Sequence, residues 1–130
     1  MKRFSVSASD DELIAFIDGW AALLEREDYE SAFRYTDQNP AMEWTPEKIR
    51  AEIKGYGKGN PDQRVTVQGV PSDVTQTREI SRSTRNRDGR IGEIWYDLNI
   101  NGVVSDLTAT FDLIADDEGL RICLNDIHVM

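Results

Sequence analysis

The last ten residues, RICLNDIHVM, place Asp126 two positions before His128, the only histidine in the chain. A carboxylate beside an imidazole can hold or pass a proton near neutral pH, which is the chemistry of general acid–base catalysis. On a strand, residues two apart share a face with Cα atoms roughly 7 Å apart, so the two side chains would lie together. They share the alternation of Leu120, Ile122 and Leu124, which would carry them into the interior. There, burial would raise the acid's pKa and lower the base's, while their attraction opposed both shifts. Ile127 and Val129 have the opposite alternation and are the more apolar pair. A bulge near Asn125 would bring those two inward and turn Asp126 and His128 out to water. The outward phase is the favoured expectation.

Other reactive side chains are few. Tyr96 falls on the inward alternation of its strand and could lend a phenol to Asp126 and His128, giving the donor, acid and base of a pocket enzyme. Asp97 and Asp106 alternate outward and do not join that set. Cys123 is the only cysteine, so no internal disulfide can form. Flanked by Ile122 and Leu124, and on the opposite alternation from His128, it reads as packing and not as a nucleophile. One histidine and one cysteine are too few for a zinc site, so neither metal nor cofactor is expected. The stretch GYGKG precedes a strand, whereas a phosphate-binding loop would open a helix. Tyr35, Trp44 and Tyr56, at helix ends and loops, join Tyr96 as candidate ligand-pocket aromatics, with core or rim packing as the simpler account.

Fifteen basic against 24 acidic residues give a formal charge of −9. Such a surface repels phosphate backbones and anionic lipid, so neither nucleic acid nor a membrane is an expected partner. One stretch opposes the trend: REISRSTRNRDGR sets five arginines, at positions 78, 82, 85, 87 and 90, against Glu79 and Asp88. It reads as a solvated hairpin tip. The start, MKRFSVSASDD, is basic but leads into no apolar segment of signal-peptide length, and a lone cysteine suits a reducing compartment; a cytoplasmic location is expected.

These side chains need elements to position them. Ser9 and Glu12 form a capping box, and Leu13, Phe16, Ile17, Trp20 and Leu24 follow at helical spacing, widened by Ile14 and Leu23. DYESAFRYT predicts a shorter helix. In EWTPEKIRAEIKGYG, Thr45 can cap, Pro46 suits the first helical position and Glu47 the positive end of the dipole. After this the period changes to two. RVTVQGV is one short strand, and strands near 74–85, 91–100, 103–115 and 120–129 are separated by turns at Asp88-Gly89, Asn101-Gly102 and 116–119. Consecutive tight turns make an antiparallel meander. Ile94, Tyr96, Leu98 and Ile100, with Leu107, Ala109, Phe111 and Leu113, form the apolar face that should meet the helices. On the other face Trp95, with Thr108 and Thr110, is a candidate dimer surface. The chain is expected to form a single α+β domain over residues 1–130.

The stretches DYESAFRYT, WTPEKIRAEIKGYG, SDLTATFDL and LNDIHV, in that order, resemble small bacterial members of the nuclear transport factor 2-like (cystatin-like, SnoaL-like) superfamily. The resemblance implies N-terminal helices packed on the concave face of a curved, mainly antiparallel sheet, a cone that is often dimeric. That superfamily holds isomerases, dehydratases and cyclases as well as transport adaptors and toxin-immunity proteins, so fold alone does not select among them. The expected role is a small binding or interaction protein without catalysis. It would be homodimeric and meet a protein partner or a small apolar ligand, as a toxin-immunity or accessory module would. The alternative is a pocket isomerase, dehydratase or cyclase using Asp126, His128 and Tyr96.

Overall fold

The computed structural model describes residues 2–129. Three helices come first: α1 (Asp10–Glu25), α2 (Tyr29–Tyr35) and α3 (Pro46–Lys54), with a 3-10 turn at Pro40–Met42 between the last two. Each start is capped as its residues dictate. Ser9 Oγ accepts from the Glu12 N–H (3.2 Å), Asp28 Oδ1 from Ser31 (3.1 Å) and Thr45 Oγ1 from Lys48 (3.0 Å). Each bond satisfies a donor that the first turn leaves free.

The sheet contains β1 (Asp37–Gln38), β2 (Val65–Thr66), β3 (Arg78–Arg82), β4 (Arg90–Ile100), β5 (Val103–Asp116) and β6 (Gly119–Val129), in the order β1-β6-β5-β4-β2, with β3 also pairing β4. All neighbours are antiparallel except β1 and β6. At the β4–β5 turn both Asn101 (φ 53°) and Gly102 (φ 79°) take the left-handed conformation that lets a two-residue hairpin follow strand twist. The architecture is α+β, with the N-terminal helices against one face of a strongly curled, mainly antiparallel sheet, as the sequence predicts.

The core lies between these layers. Leu13, Ile17, Trp20 and Leu24 of α1, and Ile49 and Ile53 of α3, are fully buried against Ile94, Tyr96, Leu98, Phe111 and Leu113. Trp20 meets Phe111 edge to face, with ring centroids 5.1 Å apart. Burying a side chain of this size contributes about 1.5–3 kcal/mol, and the interior between helices and sheet is filled by such groups.

Three features depart from the sequence expectation. The segment predicted as a strand over 74–85 forms a ladder only at Arg78–Arg82, and RVTVQGV only at Val65–Thr66, with a single bridge from Val70 to Val103. Between these ladders, residues 67–77 form an arm bonded in part to side chains of β4. Asn99 donates to Val67 O (2.9 Å) and accepts from Gln76 (2.7 Å), while Asp97 Oδ2 accepts from the Thr77 N–H (2.6 Å). Second, the two-residue parallel strand β1 was not anticipated; with Phe4, which bridges Leu120, it covers the edge of β6. Third, the outward face is less open than alternation implies, since Asp97, Asn99, Thr108 and Thr110 are all buried.

Candidate functional site

The phase of β6 decides where the opening acid and base go. Thr110 pairs with Asp126 but its neighbour Phe111 pairs with Leu124, leaving Asn125 as the extra residue of a bulge. Two bonds hold it: Trp44 Nε1 donates to Asn125 O (2.9 Å), and Asn39 Nδ2 to Asn125 Oδ1 (2.8 Å). Beyond the bulge Ile127 is inward and 1% exposed, while Asp126 and His128 face outward, opposite Thr110 and Thr108. His128 Nδ1 lies 2.9 Å from Asp126 Oδ2, both side chains about one-third exposed, but the approach forms no hydrogen bond. Asp126 Oδ1 accepts instead from the N–H of Ile127 (2.9 Å).

Tyr96 lies on the other side of the sheet. Its hydroxyl donates to Asp18 Oδ1 of α1 (2.5 Å), and the Arg78 guanidinium sits 4.1 Å over its ring. Burial, then the bond to Asp18, pushes the phenol far above its usual range, so it stays protonated. The expected set of Asp126, His128 and Tyr96 therefore does not assemble: the sheet separates the phenol from the acid and base. Asp18 and Arg78 were not singled out in the sequence; the one signal for Asp18 is its place bordering the apolar stripe, next to Ile17.

Each of the four candidate ligand-pocket aromatics uses its polar tip inside the fold. Tyr35 donates to Phe16 O (2.8 Å) and stacks on the Phe16 ring, where a Cβ on Gly19 would collide with its hydroxyl. Trp44 is spent on the bulge, Tyr56 donates to Asp106 Oδ1 (2.5 Å), and Tyr96 is bound to Asp18. Each polar tip is used internally, because a buried donor left unbonded is costly.

The three candidate dimer-surface residues differ in exposure. Thr108 and Thr110 do face outward, but they are buried within the chain itself, and Thr108 Oγ1 donates to Asp97 Oδ1 (2.7 Å). Trp95, the third of them, is half-buried. Cys123, expected on the opposite alternation from His128, shares the outward face with it because the bulge intervenes. Its thiol is buried, which pushes its pKa up to about 11.

The arginine-rich hairpin is tied down. Arg82 binds Asp10 (2.6 Å) and Ala8 O (3.0 Å), Arg85 binds Ala115 O (2.7 Å), and Arg90 bridges Asp112 (2.9 Å) and Glu93 (2.7 Å). Arg82 and Arg90 are thus paired with carboxylates inside the fold, while Arg87 is exposed. A cleft of about 400 Å³ beside Arg90 and Arg121 is likewise balanced by Asp112 and Asp88.

The feature that remains is the outward face around Trp95. A cleft of about 200 Å³ lies between Trp95 and the arm, with Asp97, Asp106 and Thr108 lining it. Across the strands Trp95 pairs with Glu79 on one side and Thr110 on the other, and Thr110 pairs in turn with Asp126. A partly exposed indole is thus set among carboxylates. Among the described residues no group of three His, Cys, Asp or Glu side chains could hold a metal ion, and no helix is long and apolar enough to cross a membrane. Nothing among curated proteins or solved structures matches the chain. Residues 21–130 match the model of the DUF7668 family, a domain of unknown function, and the chain belongs to that family.

Proposed function

We propose that this protein is a non-catalytic interaction module, built on the cone-shaped plan of the nuclear transport factor 2-like superfamily, that meets a basic protein partner with its exterior. One observation carries the reading: the phenol of Tyr96 is bound to Asp18 inside, while Asp126 and His128 stand on the opposite face of the sheet. An enzyme of the isomerase type needs those groups around one reacting atom. The filled interior agrees, since Trp20, Tyr96 and Phe111 occupy the space a small apolar ligand would need. With the formal charge at −9, electrostatic steering favours a basic partner and suppresses acidic ones.

Calorimetric titration with basic and acidic decapeptides, at low and physiological ionic strength, tests the proposal. Salt-sensitive binding of the basic peptide alone is expected. Turnover of a small hydrophobic substrate, abolished by His128→Ala, would overturn it.

A further inference from the structure

We infer that the outward face at Trp95 is the docking site for an arginine or lysine side chain of that basic partner, an inference that rests on the interaction reading above. Four carboxylates surround the indole on this face: Glu79 opposite it on β3, Asp97 and Asp106 lining the same cleft, and Asp126 two strands away on β6; Glu79 is exposed, whereas the Asp97 oxygens accept from Thr77 and Thr108 and Asp106 Oδ1 from Tyr56. Of these four, Asp126 has His128 Nδ1 at 2.9 Å, and among the described residues the other three form no ion pair. The indole attracts a cation through the negative face of its ring, and flanking carboxylates add charge and hydrogen-bond acceptors. The cleft of about 200 Å³ between Trp95 and the arm gives an extended side chain a place to lie.

One further observation points the same way. Among the described residues Glu79 has no ion-pair partner, so its charge is available on an exposed position. A second copy of the chain fits this face poorly, because apposing two such rings would set carboxylate against carboxylate.

The experiment is a titration of the full chain with an acetylated deca-arginine amide, followed by heteronuclear NMR of the indole N–H groups. Trp20 and Trp44 are buried and serve as internal controls. The Trp95 signal should move while the other two stay, and Trp95→Ala should weaken binding roughly tenfold. Glu79→Gln combined with Asp126→Asn should weaken it several-fold and reduce its salt dependence; these exposed and half-exposed positions carry the test should Trp95→Ala fail to fold. Binding with a stationary Trp95 signal, or undiminished in the carboxamide variant, overturns this site but leaves the interaction reading standing. A complete lack of binding removes both. A Trp95 signal that moves with protein concentration in the absence of peptide assigns the face to a second copy and overturns the inference.

Discussion

The indole N–H of Trp44, at the entry to α3, donates to the carbonyl of Asn125 in β6 over 2.9 Å. This contact joins residues 81 positions apart and fixes which face the last four residues of the strand present. Trp44→Phe keeps much of the apolar bulk and removes the donor, leaving a part-buried carbonyl unpaired. A loss of about 2 kcal/mol is expected, read as a lower urea midpoint at unchanged slope. A midpoint equal to the parent's would mean that packing alone holds the bulge.

Thr110→Val should act in the opposite direction. The substitution keeps the branched shape and deletes a buried hydroxyl that has no partner. Stability is expected to rise by about 1 kcal/mol, visible as a higher thermal midpoint. A decrease would show that the hydroxyl is satisfied in solution.

The pair of Lys54 and Glu27 sets a pH dependence. Lys54 Nζ is buried and donates to Glu27 Oε1 and to Gln63 O (2.5 Å). The bond from Lys54 holds the Glu27 carboxyl below its usual range. A carboxylate depressed in the folded state stabilises the fold above its unfolded pKa of about 4.3, and that contribution disappears as pH falls through the folded value. Glu27→Gln should therefore be less stable than the parent at neutral pH, with the gap in melting temperature closing in acid. A gap independent of pH would reject the assignment.

Cys123 should be inert while the chain is folded. Its thiol is buried and its pKa is pushed up to about 11, so almost no thiolate exists near neutrality. Labelling by an aromatic disulfide reagent at mildly alkaline pH should be slow in buffer and immediate in denaturant. Prompt labelling of the native protein would show that β6 opens locally.

Much of the fold was legible locally. The α1 stripe, the Thr45-Pro46 start of α3 and the three hairpin turns each follow from backbone preferences within a few residues, and the structure contains them all. The inward rows of β4 and β5 were legible too, because a period of two with one apolar face has a single sensible orientation. The stretch Asp37–Gln38 carries no strand signal of its own; it pairs because the edge of β6 is nearby. Apart from the bridge of Val70 to Val103, the arm over 67–77 leaves the sheet, and Asp97 and Asn99 offer it competing hydrogen bonds from β4.

The sequence by itself determined the layers, the turns and the presence of Asp126 and His128 on one strand face. It left two phases open for that face, since Leu124 and Ile127 are both apolar and an odd-residue slip between them costs nothing locally. Only the tertiary structure chose, by bringing Trp44 and Asn39 to Asn125 so that the bulge is bonded and Ile127 fills the core. The same long-range packing put Tyr96 with Asp18 on one side of the sheet and the acid and base on the other. A choice made by partners some 80 residues away leaves no mark in the local pattern.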